Sequence, residues 1–137
     1  MDAPTRLVIL ILLGIAMTTY AMTSDAMPLA VKIVACESRG KVGLCNKKAD
    51  KYGRACGIAM FKPVTFRTFK LESRNPLLRY NNPYDQLLLL NWALRHGKGN
   101  HWACYRKIRR GSWKITPRQV RMMIGNKYIT TIYGGSI

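Results

Sequence analysis

The residue with the clearest chemical potential in this sequence is Glu37. Only six acidic residues occur among the 137, and Glu37 ends an apolar pattern with the spacing i, i+3, i+4 and i+7, formed by Ala30, Ile33, Val34 and Glu37. This spacing predicts that they share one face of a helix. A carboxyl group on an apolar face loses hydration, so its pKa rises toward the range of a general acid. The same pattern allows a second interpretation, in which Glu37 lies in water at a frayed helix end.

Glu37 belongs to an ordered series of short motifs. Residues 36–38 read CES, residues 57–61 read GIAMF, residues 65–66 read TF and residues 97–104 read GKGNHWAC. In order and spacing, the series resembles the core of lysozyme-like lytic transglycosylases. It is most similar to the resuscitation-promoting-factor type, whose pattern resembles C-E-S-G, then G-x-x-Q-F, a downstream T-W and a closing G-x-G-x-W-x-x-C. The resemblance covers residues 28–105.

The chain departs from that pattern at two positions. Arg39 stands where a glycine is usual, and Met60 stands where a glutamine is usual. Both positions resemble ones that line the cleft in the family. The departures therefore bear on substrate contacts more than on the fold.

The resemblance implies both a fold and a reaction. The fold is α+β but mostly α, a small lysozyme-like domain with a short hairpin or extended flap beside the cleft. The reaction is cleavage of the glycan strands of peptidoglycan. Glu37 first protonates the leaving glycosidic oxygen and then acts as base, while the muramyl 6-hydroxyl attacks C1 to give an anhydro product. No cofactor and no metal are expected.

Hydrolysis, as in a lysozyme, is the alternative outcome at the same bond. It needs a placed water molecule and often a second carboxylate. Asp50 is the acidic residue nearest in sequence to the 36–38 motif, so it is the candidate for that second carboxylate. In the competing interpretation, Asp50 is solvated and paired with neighbouring lysines.

Substrate contacts are expected from residues within and beside the motifs. Sugar rings stack on aromatic faces, so Phe61, Trp102 and Tyr105 are expected to line the glycan groove. The motif residues Ser38, Gly57 and Met60 complete the predicted substrate-binding set. Phe61 and Trp102 have an equally good interpretation as core residues. Ser38 is expected to orient Glu37 or to cap its helix, because no base is paired with it and the Gly-x-Ser-x-Gly context of a nucleophilic serine is absent. His101 is interpreted as a loop residue.

The four cysteines favour disulfide bonds in an exported chain. They are Cys36, Cys45, Cys56 and Cys104, and three pairings are possible. Zinc is the rival interpretation, but the sequence has no C-x-x-C pair. The family resemblance implies the pairs Cys36–Cys104 and Cys45–Cys56.

The N-terminal residues 1–26 have the composition of a signal peptide. Residues 7–17 form a continuous apolar run that follows Arg6, and at eleven residues this run is too short to span a bilayer comfortably. Small residues precede possible cleavage sites after Ala21 and Ala26. The alternative is an uncleaved anchor. Either way, residues 27–137 are expected to be a catalytic domain with a basic C-terminal extension, either secreted or periplasmic.

The charge of the chain is strongly positive. Its formal net charge is +17, and residues 86–137 contain ten Lys or Arg and no acidic residue. Such a surface implies an anionic partner held by salt-sensitive attraction. Export favours an anionic envelope polymer or a membrane surface over a specific nucleic acid. Solubility alone is the simplest account, but the charge exceeds what solubility needs. A monomer is expected.

The pattern of breakers predicts the elements that position these residues. The flap, residues 39–56, is rich in Gly and Lys and is expected to be irregular or hairpin-like. Residues 57–61 are expected to be extended. Pro63, Pro83 and Pro117 are each expected to start a helix. The first helix ends before Asn75, the second at Gly97 and the third at Gly125. The second of these helices is apolar on nearly every side and is expected to be buried, and residues 128–133 have the composition of a strand.

Three functions are therefore considered. The first is a peptidoglycan-cleaving enzyme with Glu37 as acid and base. The second is a non-catalytic, cationic envelope-binding protein that keeps the fold with an idle Glu37, which the departures at Arg39 and Met60 favour. The third is an exported nucleic-acid binder, supported by charge alone.

Overall fold

Helices account for most of the fold. The computed structural model describes residues 27–134, and the predicted signal segment lies outside the described residues. We number the helices in chain order: α1 (Leu29–Glu37), α2 (Pro63–Glu72), α3 (Pro83–Arg95), α4 (Ala103–Arg109), α5 (Pro117–Ile124) and α6 (Lys127–Tyr133), with a 3₁₀ turn at Gly99–His101 before α4. The prediction of a mostly helical domain is confirmed. None of the helices within residues 27–134 has the length and apolar character needed to cross a membrane.

The helix starts follow the capping signals in the sequence. Asn82 Oδ1 accepts a hydrogen bond from the backbone of Asp85 at 3.1 Å and so caps α3. Thr116 and Gln119 form a reciprocal capping box at the start of α5. Proline occupies the first position of α2, α3 and α5, where its missing N–H has no consequence for the helix.

Helix α3 forms the centre of the core, with α1, α2 and α6 packed around it. Its buried apolar side chains are Leu87, Leu89, Leu90 and Ala93. The expectation of burial on nearly every side is wrong at Leu88, whose side chain is 45% exposed. In a domain of this size one face of even the central helix meets solvent, because too little chain is available to cover it.

The flap contains isolated β-bridges in place of a regular hairpin. The bridges pair Cys45 with Cys56 and Asp50 with Gly53, and no regular strand occurs within residues 27–134. The backbone N–H of Asn46 donates to the carbonyl of Ala55 at 2.9 Å. The Cys45–Cys56 disulfide then closes the base of the flap.

Residues 57–61 form a tight turn, so the extended conformation expected from their sequence is wrong. Gly57 has φ +89° and Met60 has φ +50°, and the N–H of Met60 donates to the carbonyl of Gly57 at 3.0 Å. Side chains from elsewhere satisfy the buried peptide groups: Gln86 Oε1 accepts from the N–H of Ala59 at 3.0 Å, and Trp102 Nε1 donates to its carbonyl at 2.8 Å. These long-range hydrogen bonds outweigh the local preference for an extended chain.

The C-terminal segment is helix α6, so the strand expected for residues 128–133 is also wrong. Asn126 Oδ1 accepts hydrogen bonds from the backbone N–H groups of Tyr128 and Ile129 at 3.0 and 3.3 Å, which caps the helix start. Ile129 is fully buried, and α6 packs on α3. Capping and packing override the strand preference of the β-branched residues.

Both disulfides have the pairing that the family resemblance implies. Cys36–Cys104 joins the end of α1 to the start of α4, with the Cα atoms 5.9 Å apart. Helix α4 itself was missed by the sequence analysis, which assigned no helix between Gly97 and Thr116. Cys104 is the buried residue of α4, so the helix lacks the apolar stripe that reveals an amphipathic helix in a sequence.

Candidate active site

Glu37 is the last residue of α1, and its carboxylate faces the start of α4. The backbone N–H of Cys104 donates to Glu37 Oε1 at 3.0 Å. The disulfide between Cys36 and Cys104 joins the same two segments covalently. A hydrogen bond and a covalent bond therefore hold the end of α1, and with it the carboxylate, against α4.

Ser38 lies inside the protein and holds the end of α1 from the other side. Its Oγ is 2.6 Å from the carbonyl oxygen of Ile58 and 3.2 Å from that of Val34, and it accepts from the N–H of Gly40 at 3.2 Å. Its side chain is fully buried. The prediction that Ser38 binds substrate is therefore replaced by the alternative reading, in which Ser38 fixes the helix end beside Glu37.

Arg39 has a backbone conformation that explains why glycine is usual at this point of the resembled motif. Its φ is +55°, in the left-handed region where a Cβ atom is disfavoured. The turn after α1 thus requires a backbone conformation that a glycine would adopt without strain. The departure at Arg39 adds strain and an exposed side chain but leaves the turn in place.

A groove of about 620 Å³ runs past Glu37. Helix α2 contributes Val64, Thr65, Thr68 and Phe69 to its lining. Glu37 lines it together with Ala103 and Arg106 of α4. The remaining lining comes from the flap, the 57–61 turn, the N-cap of α2 and the segment before α4, namely Asn46, Tyr52, Ala55, Met60, Phe61, Lys62, His101 and Trp102.

Three residues of the predicted substrate-binding set line the groove, namely Met60, Phe61 and Trp102. Gly57 and Tyr105, like Ser38, do not. The position of Gly57 is set by packing, because a Cβ there would overlap the amide of Gln86. The ring of Tyr105 packs under Gly99, so both residues shape the loops behind the groove.

The aromatic floor of the groove is also part of the core. Phe61 is 0% and Trp102 is 3% exposed, and their rings meet edge to face with centroids 5.1 Å apart. Such packing leaves little ring face open for a sugar. Most of the surface of both side chains is therefore buried in the core, as the second interpretation predicts. Tyr52 in the flap, 46% exposed, is the lining aromatic that is open to a ligand.

Asp50 is an exposed residue outside the groove lining. Its carboxylate forms an ion pair with Lys62 and accepts a hydrogen bond from the N–H of Tyr52 at 2.8 Å. The hydrogen bond from Lys62 is the main cause that lowers the pKa of Asp50. The structure therefore agrees with the interpretation of Asp50 as a paired surface group. Glu37 is the one carboxylate among the described residues that line the groove.

Burial dominates the electrostatics of Glu37. Loss of hydration raises the pKa of this carboxyl above its ordinary value, and three weaker influences oppose the rise. These are the hydrogen bond from the N–H of Cys104, then the positive charges of Lys107 and Arg106. Glu37 forms no ion pair with the other residues of the described part of the chain. The carboxyl therefore holds its proton to a higher pH than an exposed glutamate does.

Several lining residues were missed by the sequence analysis. Thr65 is part of the TF motif but was not predicted to contact substrate, and Thr68 lies one helical turn beyond it on α2. This polar pair just after Pro63 was the available signal. Arg106 belongs to a run of cations in which no single member stands out. His101 was interpreted only as a loop residue, but it reaches the groove from the 3₁₀ turn.

Within residues 27–134, no three His, Cys, Asp or Glu side chains come close enough to hold a metal ion. His96 and His101 are five positions apart, a spacing that zinc sites use. Their rings nevertheless pack on different neighbours. His96 stacks on Trp92 with centroids 4.5 Å apart, and His101 meets Phe69 edge to face at 4.9 Å.

Comparison of the chain with protein-family models, with curated proteins and with solved structures finds no match. The family resemblance therefore depends on the four short motifs.

Proposed function

We propose that this protein is an exported enzyme that cleaves the glycan strands of peptidoglycan, of the lysozyme-like lytic transglycosylase type. The observation that carries the proposal is the setting of Glu37. A carboxyl with a raised pKa lies on the wall of an open groove, fixed by a backbone hydrogen bond and an adjacent disulfide. A general acid for glycoside cleavage needs these properties, because it must be protonated and immobile beside the leaving oxygen.

The groove also suits an extended polymer. It is lined by residues of α2, by Glu37 and by the start of α4, and its lining mixes threonine, asparagine and aromatic side chains. Hydroxyl and amide groups hydrogen-bond sugar hydroxyls, while aromatic rings contact the apolar faces of sugars. The order of the CES, GIAMF, TF and GKGNHWAC motifs, which all contribute to the site or its support, agrees with this reading.

In the proposed reaction, the protonated Glu37 donates its proton to the glycosidic oxygen as the bond from that oxygen to C1 breaks. The sugar at C1 develops positive charge, which the new carboxylate of Glu37 stabilises. The 6-hydroxyl of the same sugar then forms a bond to C1 and gives its proton to Glu37. The acid is thereby restored, and the product has a 1,6-anhydro ring.

Internal attack is favoured over hydrolysis by the residues that line the groove. A hydrolase of the two-carboxylate type needs a second acid to place water or to form a covalent intermediate. Asp50 is held by Lys62 outside the groove, and the described lining contains Glu37 as its sole carboxylate. The substrate's own 6-hydroxyl requires no such partner.

Replacement of Glu37 by glutamine tests the proposal. Glu37→Gln keeps the acceptor for the Cys104 N–H but removes the transferable proton, so turnover of purified cell walls should fall by a factor on the order of 10² or more. Glu72→Gln is the matched control, because the other glutamate is exposed at the end of α2 and paired with Lys98 at 2.9 Å. A Glu37→Gln variant with the turnover of the wild type would refute the proposal that the protein is an enzyme with Glu37 as its acid.

A non-catalytic, cationic envelope-binding protein is the second candidate. Met60 favours it, because a thioether lines the groove where the resembled motif has a glutamine amide. The net charge of +17 suits binding to anionic walls or membranes in either case. This candidate predicts that wild type and Glu37→Gln bind walls equally and that neither cleaves them.

A further inference from the structure

The groove has an uneven balance of charge beside Glu37. Its lining contains one lysine and one arginine, Lys62 and Arg106. Lys62 is neutralised by its ion pair with Asp50. Arg106, in contrast, forms no ion pair with any carboxylate of residues 27–134. Among the described residues, the groove that contains the candidate acid therefore also contains one arginine without an ion-pair partner.

Arg106 is placed to receive a ligand. It follows Ala103 by one turn of α4, so both residues lie on the helix face that lines the groove. Nη1 of Arg106 donates to the carbonyl of Asn100, which fixes the guanidinium over the 3₁₀ turn. A guanidinium has five N–H donors in a rigid plane, so donors remain for a planar anion after this contact.

The neighbouring Lys107 provides an internal comparison. Both residues are exposed, and both charges lower the pKa of Glu37, so both lie within electrostatic range of the carboxyl. Lys107 is absent from the lining of the groove, whereas Arg106 is part of it. A contact with a bound ligand would therefore depend on Arg106, and a general effect of positive charge would depend on both.

We propose that Arg106 makes the groove selective for glycans with a carboxylate on a sugar beside the scissile bond. This inference rests on the proposed function and names the part of the substrate that the groove recognises. In peptidoglycan every second sugar carries a lactyl ether. Its carboxyl is either free or linked to a stem peptide with carboxylates of its own, so either source supplies the same planar anion.

Binding to a variant that cannot turn over the ligand tests the inference. In the Glu37→Gln background, the ligands are a hexasaccharide of alternating N-acetylglucosamine and N-acetylmuramic acid with free lactyl carboxyls, and its methyl ester. The two ligands differ in charge and hardly in shape. The free acid should bind at least about tenfold more tightly by calorimetry, the factor that one charge-assisted hydrogen bond contributes.

Substitution at Arg106 and Lys107 then locates the contact. Arg106→Gln should abolish the preference for the free acid, whereas Lys107→Gln should keep most of it. Equal losses in the two variants, or no preference in the parent, would overturn the inference. A ligand whose lactyl groups carry an alanyl-glutamate peptide assigns the source. If the peptide-bearing ligand binds more tightly than its own ester and the difference depends on Arg106, the peptide carboxylate is the group recognised. If only the ligand with free lactyl acids binds more tightly than its ester, the lactyl carboxylate is the group recognised.

The outcomes also separate this inference from the proposed function. If the wild-type protein cleaves walls but shows no preference between the acid and the ester, the proposed enzymatic function stands and the proposed role of Arg106 is wrong. If the preference depends on Arg106 but the protein does not cleave walls, recognition of a carboxylate in the groove stands and the proposed enzymatic function is wrong.

Discussion

At the scale of single residues, the site depends on one carboxyl whose environment acts in two directions. Burial raises the pKa of Glu37, while the N–H of Cys104 and the charges of Lys107 and Arg106 reduce the rise. The result is a carboxyl that keeps its proton to a higher pH than an exposed glutamate, while the hydrogen bond and the two positive charges favour its ionised form. Both forms are required by a residue that serves first as acid and then as base.

The raised pKa also makes a prediction about stability. Below the ordinary value of 4.5 the carboxyl is protonated in both folded and unfolded chains and costs nothing. As the pH rises above 4.5, the unfolded chain ionises first, so the wild-type protein loses stability until the folded pKa is passed. Glu37→Gln has no such loss and should become more stable than wild type between these two values.

Urea unfolding at pH 3.5 and at pH 7.5 measures this difference. The stability gain of Glu37→Gln over wild type should be larger at pH 7.5, because burial of the ionised carboxylate is then avoided. Glu72→Gln, at an exposed position, is the matched control. A Glu37→Gln gain of the same size at both pH values would contradict the raised pKa.

At the scale of elements, the sequence was informative where local signals act alone. Proline and capping residues marked the starts of α2, α3 and α5, and the positions found agree with them. Failures occurred where distant groups decide the conformation. The turn at residues 57–61 depends on Gln86 and Trp102, and α6 depends on its cap and on packing against α3.

The candidate site shows the same limit. Glu37 and its motif were identifiable because the residue types and their spacing are distinctive. The roles of Ser38, Gly57 and Tyr105 were not, since a side chain that supports the groove and one that contacts substrate share the same sequence motif. Arg106 was hidden because ten Lys or Arg occur in residues 86–137, and only the fold shows which of them reaches the groove.

The disulfides give a prediction about elements. Cys36–Cys104 spans 68 residues and Cys45–Cys56 spans 11. In the chain-entropy model their removal costs about 4 and about 3 kcal/mol respectively. The Cys36→Ser, Cys104→Ser variant should therefore be the less stable of the two double variants, and it should lose more activity because Glu37 is tied through that bond.

Denaturant unfolding and wall turnover of the two double-serine variants, measured where both are folded, test this order. Loss of Cys45–Cys56 should mainly loosen the base of the flap. Equal activity in the two variants would show that the Cys36–Cys104 bond stabilises the fold without positioning Glu37.

At the scale of the whole molecule, the basic C-terminal half is the most distinctive property. Residues 86–137 contain no acidic residue of their own, and of their ten Lys and Arg only Lys98 forms an ion pair with the described residues, so the surface is expected to hold an anionic envelope polymer or membrane near the groove. In the proposed function this attraction concentrates the enzyme on its polymeric substrate.

Binding to cell walls should accordingly weaken as salt rises past about 0.15 M, where the screening length is about 8 Å. Reversal of two charges at Arg109 and Arg110 should weaken it more than reversal of Lys47 and Lys48 in the flap, because the former pair lies in the acid-free half. Co-sedimentation with purified walls across a salt series measures both effects. Salt-independent binding, or equal effects of the two reversals, would show that the basic half is not the contact surface.

The most direct test of the central claim is the chemical nature of the new ends in digested walls. Peptidoglycan is incubated with wild type and with Glu37→Gln in water enriched in oxygen-18, and the fragments are analysed by mass spectrometry. The account predicts 1,6-anhydromuramyl ends, lighter than hydrolysed ends by one water and free of oxygen-18, from the wild type alone. Reducing ends that carry oxygen-18 would contradict internal attack, and equal products from the two proteins would contradict the role of Glu37.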